Sequence, residues 1–286
     1  MSSLQQLQHA FNATAGQSAH AWLDNACESL RTSTEPAEKL PMFSAMAGRK
    51  AGLANLGPGV AALPTSAGPL SINEWTCGDA ARVILILTTI AVFPDQASRL
   101  IDTVYRLGDE SERAIVTRSL LLYPDPDTLK HLATETGRVN SLLLFSALAL
   151  DNPYPEAYFT EHEFNQMVLK CLFLGLGIEQ VCGLQARANA ELSRMCEDYI
   201  DERSAANRTI PQDIWLAMNQ YSSARGRQLM LNHLVHADQR HRYNALKALH
   251  TGHLIDPPVL ELLQQRVAQE TDQDVLKLLQ DTIAAT

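Results

Sequence analysis

Five ionisable residues, Arg187, Glu191, Arg194, Asp198 and Glu202, follow one another at offsets of 4, 3, 4 and 4. On a helix turning about 100° per residue they fall within roughly 80° of one another, which predicts an alternating-charge face across Arg187–Arg208. Leu192, Met195, Cys196 and Tyr199 take another side of that helix. Paired guanidinium and carboxylate groups on such a face can orient a polar ligand or a partner segment, and alternating charge favours specificity over affinity. Two plainer readings compete. One is a solvated face whose i,i+4 pairs contribute about 0.2–0.5 kcal/mol each. The other is a buried inter-helix ion network that fixes packing.

Upstream, Asn165 and Gln166 place an amide pair one turn before Lys170, inside an otherwise apolar helix. A lysine there must pair or reach water, because an isolated buried ammonium is costly. Glu191 or Asp198 is its expected partner, with a side chain snorkelling to the surface as the alternative.

Asn189, Ser193 and Glu197 have the spacing of a magnesium motif that resembles the second one of class I terpenoid synthases. A diphosphate–magnesium site also needs carboxylates on a facing helix. No aspartate-rich first motif is present, and Asp198, Asp201 and Glu202 belong to the same helix as the triad. His233 and His236 stand at i,i+3, followed by His241, His250 and His253, and a third ligand there would complete a zinc or iron site. No HExxH accompanies them and the nearby carboxylates are Asp238 and Asp256, so surface and capping histidines are the expected reading. Neither a metal nor a cofactor is expected. There is no GxSxG elbow, no GxxxxGK[ST] loop and no GxGxxG after a strand.

The elements that must hold these residues read as helices. Ala19, Trp22, Leu23, Ala26, Cys27 and Leu30 lie on one amphipathic stripe, and Ala97, Leu100, Ile101, Val104 and Leu107 repeat the spacing. Asp125 before Pro126 predicts an N-cap with proline in the first turn. Tyr243, Leu246 and Leu249 mark a helix, as do Val259, Leu260, Leu263 and Val267 behind Pro257 and Pro258. Val275, Leu276, Leu279 and Ile283 mark another, with Thr271 as its expected cap. Gly175-Leu-Gly177 reads as a helix-ending turn. The resulting fold class is all-α, a HEAT-like or armadillo-like stack of antiparallel helices forming an α–α superhelix.

Between the first helix and Trp75, nine prolines and glycines from Pro41 to Pro69 argue against any helix. The expected organisation is a helical segment 1–31, a Gly/Pro-rich loop 32–74, and a helical body 75–286 continuous with the first segment. A loop of that length is expected to be a lid or docking segment.

The chain has 286 residues, with 23 Lys and Arg against 32 Asp and Glu, a formal charge of −9. That balance opposes binding to a phosphate backbone, so nucleic acid is not an expected partner. Five cysteines without a CxxC pair, mostly within apolar helical patterns, read as buried thiols of a reducing compartment. Met1–Gln8 lacks the features of a secretory signal. The longest apolar runs, Val83–Phe93 and Val168–Ile178, are shorter than a membrane span.

The ordered string Asn152-Pro-Tyr-Pro-Glu-Ala-Tyr-Phe159, Phe164-Asn-Gln-Met-Val-Leu-Lys170, Arg187-Ala-Asn-Ala-Glu-Leu-Ser-Arg-Met195, Glu202-Arg203, Arg208 and Asp213-Ile-Trp215 resembles the EboA family of bacterial proteins. The likeness covers most of the chain, is densest over Leu122–Trp215 and is looser over Phe43–Gly59. It implies a setting beside a membrane prenyltransferase of the UbiA type and other cluster-encoded proteins, including a TatD-like hydrolase. There a secondary-metabolite precursor is moved or matured toward the periplasm. The family offers no established catalytic residues to carry over. The expected function is therefore a non-catalytic accessory or adaptor, cytoplasmic and peripheral at the inner membrane. Asn165, Gln166, Lys170, Arg187, Asn189, Glu191, Arg194, Asp198, Glu202 and Arg203 are its ligand- or partner-binding candidates. The alternative is an enzyme of precursor chemistry centred on Lys170, Glu191, Arg194 and Asp198.

Overall fold

The computed structural model describes residues 1–57 and 59–285, and the chain divides into two compact units, 1–159 and 160–286. The division at 159/160 replaces the expected single body from 75 onward. The architecture is all-α apart from one small hairpin.

In the first unit, α1 (Ser3–Thr14) opens on a reciprocal capping box between Ser2 and Gln5, and α2 (Gln17–Arg31) buries Ala19, Leu23, Ala26, Cys27 and Leu30. The expected loop 32–74 is instead mostly regular: α3 runs Pro36–Ala51, and β1 (Ala62–Thr65) pairs antiparallel with β2 (Gly68–Ser71). Pro36 starts α3 where its missing N–H is harmless. Pro41 removes one intrahelical bond, a cost offset by burial of Leu40, Ser44, Ala47 and Ala51 along one stripe. In the hairpin Pro64 stands opposite Pro69, where neither needs a ladder N–H, while Leu63 and Leu70 point into the core. The prolines and glycines that argued against structure sit where structure tolerates them.

Next comes α4 (Cys77–Val92), capped by Thr76 and Asp79 and buried on nearly all sides. It packs on α3 through glycines: a Cβ at Gly78 would lie 2.8 Å from the Cα of Gly48. Beside this crossing, Arg82 donates from Nε to the carbonyl of Ser44 at 3.2 Å and stands 3.8 Å from Glu112. The unit continues with α5 (Ala97–Leu107), α6 (Glu110–Arg118), α7 (Lys130–Arg138), α8 (Leu142–Ala149) and α9 (Tyr154–Tyr158). Asp125 takes the N-cap place with Pro126 in the first turn, as expected, but left-handed at φ 47° and without a side-chain cap bond, and the 3-10 turn Pro126–Leu129 runs directly into α7.

The second unit holds α10 (Glu161–Leu174), α11 (Ala190–Ala205), α12 (Ala224–His233), α13 (Gln239–Thr251), α14 (Pro257–Val267) and α15 (Gln273–Ala284). Gly175, left-handed at φ 72°, ends α10 as expected. The cap of α15 is Asp272 rather than Thr271, because the Asp272 carboxylate reaches the N–H groups of Asp274 and Val275. Packing of α12 on α13, α13 on α15 and α14 on α15 is the pattern of two stacked helical hairpins. Glu270 fastens them from the α14–α15 connection by accepting from Arg242 of α13 at 2.7 and 2.9 Å.

Candidate binding cleft

The charged stripe is shorter than its spacing predicts. Asn189 is extended at φ −151°, ψ 165°, and its carboxamide oxygen accepts the N–H of Leu192, so α11 begins at Ala190 and Arg187 lies outside it. Arg187 lies instead over the ring of Phe164, 4.7 Å from its centre. Arg194 holds both Glu191, at 2.7 Å, and Asp198, at 2.5 Å, with all three side chains half-exposed or more. Those carboxylates are both engaged by Arg194. Burial pushes the Lys170 ammonium below its ordinary pKa. Gln166 and Glu202 face solvent, and Arg203 donates to the carbonyl of Thr209 at 2.8 Å.

Asn165 and Asn189 do converge. Each donates Nδ2–H to the other's Oδ1, at 3.1 and 3.0 Å, clamping α10 to the start of α11. One and two turns along, Ser193 donates to the carbonyl of Met218 at 2.6 Å, and Glu197 accepts from Ser223 Oγ at 2.6 Å and from its N–H at 3.0 Å. The Asn189–Ser193–Glu197 row is therefore engaged throughout, Asn189 with α10 and Ser193 and Glu197 with segment 218–223. It has no free oxygens to offer a diphosphate–magnesium complex.

None of the ten ligand- or partner-binding candidates from Asn165 to Arg203 lines the large concavity of this unit, whereas His233, His236 and His241 do. That cleft, about 1580 Å³, is walled by one face of α13, one face of α15, segment 208–213 and the turn 175–179. Arg240, Tyr243, Asn244 and Lys247 line it from α13, and Asp274, Lys277, Leu278 and Asp281 from α15. Both rows have the i, i+3, i+4, i+7 spacing of a single helix face. Asn244 fastens segment 208–213 by donating to the carbonyl of Gln212 at 3.0 Å.

A model described as metabolite traffic protein EboA matches residues 3–219. The chain belongs to the EboA family. No curated protein and no solved structure matches it. In this EboA-family chain, the 208–213 and 175–179 walls lie inside the matched span, while α12–α15 lie beyond it.

The seam between the two parts is aromatic. Trp215, fully buried, stacks 4.2 Å from His233 and donates its indole N–H to Nδ1 of His241 at 3.1 Å. His236 lies over His241 with 4.2 Å between ring centres and parallel to His233 at 5.4 Å. Because a carbonyl only accepts, the ring nitrogen of His233 beside Leu229 O carries the proton. His236 Nδ1 accepts the N–H of Asp238. Burial lowers the pKa of His233, and burial with His236 and His233 alongside takes His241 down to about 4. These rings stack rather than converge, and no group of three or more His, Cys, Asp or Glu suited to a metal occurs among the described residues. The i,i+3 pair was visible in the sequence; its partner Trp215 was not, since nothing in local spacing links positions 215 and 233.

At the other end of the EboA cleft, Asp213 accepts the N–H of Ile178 at 2.8 Å and sits against Glu179. Burial raises the pKa of Asp213, and hydrogen bonding to Glu179 adds to the rise. Cys171, nearby and buried, is pushed up to about 12, first by burial and then by the charge of Asp213. The thiol is inert as a nucleophile.

Proposed function

We propose that this chain is a non-catalytic accessory of metabolite traffic that carries a secondary-metabolite precursor in its second unit. In this reading it works in the cytoplasm, peripherally at the inner membrane, beside a membrane prenyltransferase of the UbiA type. The observation that carries the proposal is a cleft of about 1580 Å³ in a chain of the metabolite traffic family. Small-molecule pockets commonly occupy about 300–1,000 Å³, so a metabolite fits with room to exchange. Adaptor work also suits the α11 face, where Arg194 keeps Glu191 and Asp198 in exposed pairs that a partner segment can read by charge. No single helix among the described residues is long and apolar enough to cross a membrane.

The test is twofold. Cells lacking the chain are expected to accumulate precursor on the cytoplasmic side, with the wild-type chain restoring its distribution; an unaltered distribution overturns the traffic role. Pull-down of the full chain with the membrane prenyltransferase is expected to recover both proteins. A clean negative removes that partner.

A further inference from the structure

The cations of the second unit divide by location. Arg194, Arg203, Arg225, Arg227, Arg242 and Arg266 each hold a carboxylate or a carbonyl. Arg187 is stacked on Phe164, and Lys170 is engaged within its own surroundings. The remaining four, Arg208, Arg240, Lys247 and Lys277, have no ion pair or side-chain hydrogen bond among the described residues, and all four line the cleft.

The acidic lining is not symmetrical with this. Asp238 and Asp272 are spent on the caps of α13 and α15, and Asp213 is turned to the Ile178 N–H and Glu179. On α15, Asp274 and Asp281 flank Lys277 at i−3 and i+4, so that wall carries more negative than positive charge. The unpaired cations away from that acidic wall are Arg240 and Lys247 on α13 and Arg208 in segment 208–213. Arg240 and Lys247 are seven residues apart on one face, about 10 Å along the helix axis, with Asn244 between them.

We propose that the cleft takes a small metabolite bearing a carboxylate or a phosphate, whose anionic group is held by Arg240, Lys247 and Arg208. The inference rests on the traffic reading above and names the chemistry of its cargo. A guanidinium and an ammonium that the fold leaves unneutralised lose little on meeting an oxyanion, since no internal pair must be broken first.

The experiment titrates the full chain with three fluorescent probes of one shape: 2-naphthoate, 2-naphthyl phosphate and the neutral 2-naphthamide. At least one anion is expected to bind about tenfold more tightly than the amide and to weaken when salt rises to about 0.5 M. Whichever anion wins identifies the carboxylate or the phosphate as the natural group. The double substitution Arg240→Gln/Lys247→Gln, on exposed or half-exposed helix positions, is expected to remove that advantage, while Arg225→Gln, outside the cleft, binds like wild type. If the amide binds as tightly as both anions, or the double variant retains the anion preference, the anion assignment falls while the traffic role, read by precursor distribution, stands. If no probe binds, the assignment falls as well. An unaltered precursor distribution alongside anion binding would instead sink the traffic role alone.

Discussion

Trp215 donates its indole N–H to Nδ1 of His241, and this bond is made only to the neutral imidazole. The His241 pKa lies at about 4 through burial, then through His236 and His233 beside it, with Asp238 opposing. Between about pH 6.5 and about 4 the unfolded chain binds a proton here that the folded chain does not, so stability falls as pH falls through that window.

Urea denaturation is expected to show a loss of about 1–2 kcal/mol from this group between those limits, reduced because cleft water reaches the ring cluster. Trp215→Phe removes the donor, and the His241 ring proton followed by NMR should then titrate at higher pH. An unchanged titration would mean that burial alone keeps the ring neutral.

Glu270 titrates lower and with the opposite cause. The Arg242 guanidinium holds its pKa at about 2, so its stabilisation is complete above about 4.5 and lost as pH falls toward about 2. Glu270→Gln is expected to cost about 1–3 kcal/mol at neutral pH, since Arg242 and Arg266 keep some contact with water. It should also flatten the stability curve below about 4.5. A curve of wild-type slope in that range would assign the acid limb elsewhere.

The amide pair of Asn165 and Asn189 is open to a double-mutant cycle. Asn165→Ala is expected to cost about 1–2 kcal/mol, and Asn189→Ala about 2–3 because it removes a helix cap as well. Their effects should be less than additive, with a coupling of at least about 0.5 kcal/mol. Full additivity would show that the two amides stabilise separately.

How much was legible follows from how local each signal is. The periodic stripes behind α2, α5 and α13 to α15 are local, and they appear where their spacing placed them. The α3 helix and the hairpin were hidden because proline and glycine frequencies register as breaks, whereas Leu40, Ala47, Leu63 and Leu70 are held by burial against distant residues. The charged row Arg187, Glu191, Arg194, Asp198 and Glu202 rests on helical phase counted from Arg187. The Asn189 cap restarts that count at Ala190 and leaves Arg187 stacked on Phe164. The cleft brings the turn 175–179 to helices the first of which begins about sixty residues further along the chain, and no spacing rule reaches that far.

The glycine crossing of α3 and α4 supplies a further expectation. Gly78→Ala would gain about 1 kcal/mol in helix propensity. Its Cβ, however, meets the Gly48 backbone at 2.8 Å, and the forced separation of the helices is expected to leave a net loss of about 1–3 kcal/mol. A thermal midpoint at or above wild type would show that the crossing can open without penalty.

The matched span ends at 219, four residues after Trp215. A protein trimmed to that boundary would bare an indole that the full chain covers with His233 and His241, and would strip Glu197 of both bonds to Ser223 while Ser193 keeps Met218. Its poor behaviour in solution would reflect an exposed seam, and it would carry only two of the four walls on which cargo is expected to rest.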